Sequence, residues 1–173
     1  MNEILILYFL TKSQNTMYGI AKMINKYFGY ILSPSFGTLQ PALKRMEKNG
    51  FLTSMKFFTT GGKLSFYYSV TPEGLEFLKE KLLEKFPKNP VQSYPEIKIK
   101  LACSDILDEN DKKTLFSIVK TELLKLKNIS DKILSSEIYE NNYLGKMVLD
   151  GSLCEYKNLL ELTERLEKNA CKS

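Results

Sequence analysis

The chain has no histidine, and so lacks the commonest general base and the commonest transition-metal ligand. Tryptophan is absent as well. Arginine is scarce: only Arg45 and Arg165 occur, against 23 lysines, so most cations are point charges rather than flat two-pronged donors. Cys103, Cys154 and Cys171 are odd in number and far apart, which suits neither a disulfide framework nor a clustered metal motif; oxidation sensing by one of them stays open. No uncharged apolar run reaches the roughly 20 residues of a membrane span, and the N-terminus has no basic start or small-residue cleavage site. These absences lead us to expect a cytoplasmic protein without membrane contact, metal, cofactor or catalytic residues. Two features that invite an enzymatic reading have plainer ones. Asp108, Glu109 and Asp111 read as the acidic first turn of a helix. Gly61-Gly62, between aromatic-rich segments, reads as a hairpin turn rather than a phosphate loop.

Residues 33–50, SPSFGTLQPALKRMEKNG, combine a helix start with a basic face. Ser33 can cap free amides and Pro34 suits a first turn, so a helix is expected from near Ser35. At about 100° per residue, Phe36, Leu39, Leu43 and Met46 fall on one core-facing stripe. The opposite side carries Gly37, Pro41, Lys44, Arg45 and Lys48, flanked by Thr38 and Gln40. Small residues there would let the backbone come close to a groove. Pro41 removes a backbone bond and pushes on the carbonyl of Gly37, so a kink is expected.

Upstream, Ile4, Leu7 and Tyr8 repeat at helical spacing, then Lys12 to Thr16 form a polar break. Thr16 can cap a second helix whose apolar face is Ile20, Met23, Ile24 and Tyr27. Downstream, Phe51 to Phe57 and Leu64 to Val70 read as strands joined by a turn over 60–63, and Thr71-Pro72 opens a helix over 73–86. Three helices, a hairpin and a helix make a winged helix-turn-helix over residues 1–86, mainly α with a small β-hairpin wing. In that fold the third helix enters the major groove and the hairpin tip reaches phosphates.

With this order, the chain resembles the PadR family of bacterial transcriptional regulators. The resemblance rests on MYGIAKMI at the second-helix start, SPSFGTLQPALKRMEKNGFL, and GGKLSFYYSVTPEG in the wing. It covers the first half of the chain; beyond that, only helix placement and length are similar to the larger, dimer-forming members. The resemblance implies a DNA-binding transcriptional regulator, a repressor by preference, with Thr16 and Tyr18 reaching phosphate. Tyr18 can equally be a core residue with its hydroxyl at the surface. The family tends to carry tyrosine where this chain has Phe36 and Gln40, and more cations after the wing glycines than Lys63-Leu64-Ser65. Gln40 offers a donor and an acceptor suited to adenine's exposed edge.

Residues 1–70 hold eight Lys and Arg against two Asp and Glu, whereas residues 87–173 hold fourteen of each, so the positive field belongs to the N-terminal module. Double-stranded DNA is the expected partner. The candidate contacts are Thr16, Tyr18, Lys22, Ser35, Gly37, Thr38, Gln40, Pro41, Lys44, Arg45, Lys48, Gly61, Gly62 and Lys63. With one arginine in that module, an A·T-rich operator is expected, read by Gln40, Thr38 and shape, with Lys22, Lys44, Lys48 and Lys63 on the backbone.

Three prolines fall within 87–95, which reads as a linker, followed by a helical domain over 96–173. Leu115, Val119, Leu123, Leu126, Ile129 and Ile133 form one stripe, and Leu149, Leu153, Tyr156 and Leu160 another. Two helices with two such stripes are expected to bury them in a homodimer, with Leu123, Leu126, Ile133, Leu149, Leu153, Tyr156 and Leu160 at the seam. The family resemblance implies release from DNA by a small aromatic or cationic effector, for which Tyr8, Tyr143 and Met147 are candidates in an apolar cleft; ordinary packing explains those side chains equally well. The alternative reading is a winged-helix protein–protein interaction module without sequence-specific DNA binding.

Overall fold

The computed structural model of the protein describes residues 1–58, 61–62 and 64–170. The chain divides into two units, Met1–Glu84 with Lys98–Ile106, and Lys85–Ile97 with Leu107–Ser173. The first contains α1 (Asn2–Lys12), β1 (Asn15–Thr16), α2 (Met17–Phe28), α3 (Phe36–Lys48), β2 (Leu52–Phe58), β3 (Leu64–Val70) and α4 (Pro72–Leu83). This is the winged helix-turn-helix, mostly helical with a small antiparallel sheet.

The run ILIL makes α1 apolar on nearly every side, and Ile4, Leu5, Ile6, Leu7, Phe9 and Leu10 are all buried. Around it close Ile20 and Ile24 of α2, Leu39, Leu43 and Met46 of α3, Leu52 of β2, and Leu78 and Leu82 of α4. Each such burial contributes on the order of 1.5–3 kcal/mol. The buried face of α2 is Ile20, Ala21, Ile24 and Phe28; Tyr27, expected inside, is 52% exposed. Phe28 takes the inner place by packing edge-on against Phe9, centroids 5.9 Å apart.

Thr16 Oγ1 accepts the Gly19 N–H at 3.1 Å and starts α2, and Thr71 Oγ1 accepts the Gly74 N–H at 3.0 Å and starts α4. The sheet runs β1-β3-β2, all antiparallel, with Asn15 opposite Tyr68 and Leu52 opposite Val70. The two-residue β1 falls inside the expected polar break. At the hairpin tip Gly62 has φ 75°, a left-handed conformation that favours glycine. At the hairpin base, a Cβ on Gly74 would lie 2.0 Å from the Phe51 carbonyl oxygen, so glycine is what lets α4 dock there. That helix ends at Leu83, short of the expected 86.

The second unit holds the first part of α5 (Pro90–Ala102), then α6 (Glu109–Leu134), α7 (Glu137–Glu140) and α8 (Tyr143–Ala170). The expected linker over 87–95 is helical from Pro90 onward. Pro90 stands at the first helical position, where it loses no bond, and Asn89 Oδ1 accepts the Val91 N–H at 3.0 Å, so only Pro95 interrupts the ladder. Asp108 Oδ1 accepts the Asp111 N–H at 2.9 Å, the expected acidic cap of α6.

The two long helices pack against each other within one chain. Leu115, Phe116, Val119, Leu123, Leu126 and Leu153 are buried, Tyr94 meets Tyr156 edge-on at 5.1 Å, and Lys120 Nζ pairs with Glu167 Oε2 at 2.7 Å. This corrects the expected dimer seam. Leu123, Leu126 and Leu153 are already covered inside the chain, and Leu149, Tyr156 and Leu160 are half-buried, because α6 and α8 bury much of each other's stripe. Ile133 stays 40% exposed, and more strongly exposed apolar side chains of this unit include Val91 on α5, Leu124 on α6, Ile138 on α7, and Tyr143, Leu144, Met147 and Val148 early in α8.

Candidate nucleic-acid interface

Helix α3 begins at Phe36 with Ser35 as its cap residue. Ser35 makes no side-chain cap, and Ser33, expected in that role, instead donates from Oγ to Asn25 Oδ1 at 2.8 Å. First-turn amides without a side-chain acceptor are the arrangement that attracts an anion. Thr38 Oγ1 donates to the Ser35 carbonyl at 2.9 Å, which tightens the first turn.

Leu39, Ala42, Leu43 and Met46 anchor the helix, and Gly37, Thr38, Gln40, Pro41, Lys44, Arg45 and Lys48 are all exposed. The expected basic face is therefore assembled in one place. Phe36 departs from expectation: assigned to the core stripe, it is 49% exposed. It is the first residue of the helix, with no preceding turn beneath it to pack on, and its ring instead stacks on Tyr18, centroids 6.3 Å apart and planes 18° apart.

The face is bare at its N-terminal half. A Cβ on Gly37 would meet only Ser35 Oγ at 3.6 Å, ordinary contact, so nothing inside the chain requires glycine there. The helix continues through Pro41 to Lys48 without a break, and Gly37, whose carbonyl receives no N–H from Pro41, is itself an exposed residue. A helix with that surface can approach a groove closely and then offer cations from its last turns.

Lys44 and Lys48 have no ion pair among the described residues, whereas Arg45 pairs with Glu3 of α1. Gln40 and Lys44 line an open cleft of about 610 Å³ with Thr16, Tyr18, Phe36, Glu47 and Tyr68. The acidic side of this cleft is Glu47, which accepts from Ser54 Oγ. Burial, and then the Glu47 charge, push the Tyr68 hydroxyl above its ordinary value, so it stays a neutral donor. Glu47 and Tyr68 were not singled out by the sequence; the former looks like an ordinary helix-surface acid and the latter like a strand aromatic.

The start of α2 adjoins this cleft. Tyr18 is 68% exposed, which rules out its core reading. The Thr16 hydroxyl accepts from Gly19 and keeps its own proton for a further acceptor. Lys22 is exposed one turn along α2, and Gly61 and Gly62 are exposed at the wing tip; Lys63 lies outside the described residues.

Among the effector candidates, Tyr8 lines an open, mostly aromatic surface cleft of about 430 Å³ with Phe9, Tyr27, Phe28 and Tyr30, and burial followed by the Asp105 charge pushes its hydroxyl up to about 12. Tyr143 and Met147 are exposed on α8, 72% and 56%. Cys103 is buried and Cys154 exposed, and Cys171 lies outside the described residues. Among the described residues, no group of three or more Cys, Asp or Glu side chains is arranged to hold a metal ion, and no helix is long and apolar enough to cross a membrane.

The family model for the transcriptional regulator PadR-like family matches residues 6–80. A PadR family transcription regulator from Clostridium difficile R20291 is 34% identical, covering 46% of this chain and 81% of its own, with a TM-score of 0.41. A transcriptional regulator from Clostridium thermocellum is 32% identical, covering 46% and 76%, with a TM-score of 0.42. Bacillus subtilis PadR, solved in complex with operator DNA, is similar over 97% of this chain and 98% of its own, at 19% identity and a TM-score of 0.48. No curated protein matches the chain.

Proposed function

The chain belongs to the PadR-like family of transcriptional regulators, and from that membership we propose a repressor that binds a palindromic, A·T-rich operator as a homodimer. The observation that carries this reading is the exposed outer face of α3: bare backbone at Gly37, the compact ring of Pro41, Gln40 for a base edge, and Lys44 and Lys48 without acidic partners among the described residues. Of the cations on that helix, the one suited to guanine, Arg45, is held by Glu3, which favours adenine–thymine readout by Gln40. Lys22, Thr16 and Tyr18 at α2, and the wing glycines, supply backbone contacts.

The homodimer reading is supported by the apolar side chains left open on α7 and α8, including Ile138, Leu144 and Val148. Two copies related by a two-fold axis present two α3 helices, which calls for half-sites one helical turn apart. Release by a small aromatic or cationic effector is supported by the open aromatic cleft at Tyr8; such a compound must favour one arrangement of the two heads over the other, since equal affinity shifts nothing.

Selection of bound duplexes from a random pool tests the proposal. A two-fold-symmetric, A·T-rich consensus is expected. A consensus dominated by G·C pairs contradicts the readout, and no enrichment at all makes the basic face a protein-docking surface instead.

A further inference from the structure

A half-exposed phenylalanine stands at the first position of the basic helix α3. Phe36, Gln40 and Lys44 follow one another at intervals of four residues, so they stand in one row along α3, and all three line the same open cleft. Tyr18, itself 68% exposed, stacks on one face of the Phe36 ring and fixes where it sits. The row thus presents an apolar ring, then an amide, then a cation. The N-terminal residues of a recognition helix are those that meet base edges, and the one apolar group on any base edge in the major groove is the C5-methyl of thymine.

We infer that Phe36 is a specificity-determining residue that contacts a thymine methyl in each half-site, held by Tyr18. This rests on the DNA-binding reading and deepens it. Phe36 and Gln40 are about 6 Å apart along the helix axis, four residues at a rise of roughly 1.5 Å. That spacing lets the amide take an adenine and the ring a thymine at a neighbouring base pair. The A·T preference then has two separate sources, one hydrogen-bonded and one apolar.

The test uses the full chain and the selected duplex, with each thymine replaced in turn by deoxyuridine, which deletes only the methyl group. Wild type is expected to bind roughly ten- to twenty-five-fold more weakly when one thymine in each half-site is replaced, about three- to fivefold for each of the two buried methyls. Phe36→Ala should bind the two duplexes equally, and Gln40→Ala should keep the methyl effect. Phe36→Leu should retain part of it, which separates lost contact from lost folding. Should wild type bind the duplex yet ignore every replacement, or Phe36→Ala keep the wild-type difference, the inference is overturned while DNA binding stands. Failure of wild type to bind any duplex removes the DNA-binding reading itself.

Discussion

Arg45 of α3 donates through Nη2 and Nε to the same Glu3 oxygen of α1, at 2.5 and 3.1 Å, so the arginine of α3 is held against the molecule's own first helix. The pair is partly exposed, with side-chain accessibilities of 57% and 29%, so it contributes less than about 1 kcal/mol to stability. Its effect falls on recognition. Glu3→Gln should leave the melting temperature nearly unchanged and free the guanidinium; tighter duplex binding with added tolerance of G·C pairs is the expected result. Unchanged affinity and preference would mean that the ion pair does not restrain readout.

Gly37→Ala should separate folding from binding. With no steric conflict inside the chain, alanine should stabilise α3 by roughly 0.5–1 kcal/mol, the helix penalty of glycine. If the bare backbone lies close to a groove, the same change should weaken DNA binding about tenfold. Thermal melts and duplex titrations on one preparation give both numbers; a stabilised variant that binds as wild type removes Gly37 from the interface.

Gly74→Ala has the opposite expectation. Its Cβ would collide with the Phe51 backbone oxygen, which cannot swing aside, so a loss on the order of 1–3 kcal/mol is expected in urea unfolding. A neutral result would show that the hairpin base and α4 are not held as described.

Burial pushes Cys103 up to about 12 from an ordinary 9.0, and Tyr8 up to about 12 from 10.0, with Asp105 adding to both. Between those limits the unfolded chain has lost these protons while the folded chain keeps them. The folded state therefore binds more protons, and stability falls as pH rises through that window. Melting temperature measured from pH 9 upward should decline, and Cys103→Ala should flatten the early part of the decline. A flat profile would contradict the burial of both groups.

Where the chain's own periodicity was strong, its sequence was legible: the stripe Leu39, Leu43, Met46, the caps Thr16, Thr71 and Asp108, and the strand Leu64–Val70 all stand where spacing put them. Phe36 misled because periodicity treats a helix as endless, whereas its first residue has no turn beneath it. The two residues of β1 are too few to make a pattern, and their pairing depends on β3, some fifty residues away. Prolines at 90 and 95 looked like a break because composition does not say that one of them begins a helix. The apolar stripes of α6 and α8 were readable, but not what covers them: a stripe names its residues and leaves its partner open. Exposure of the basic face followed from spacing, while the Arg45–Glu3 pair joins positions 42 residues apart and carries no local signal.

Helix α3 is proposed to meet DNA through Gln40 and Lys44, and a salt series on the selected palindrome reads both contacts at once. For wild type, the logarithm of affinity should fall linearly with the logarithm of salt concentration. Lys44→Ala should lower that slope by about one per protomer while keeping base preference, and Gln40→Ala should cost about 1–3 kcal/mol and relax preference with the slope unchanged. Binding that is indifferent to salt, or variants that titrate like wild type, would contradict the account.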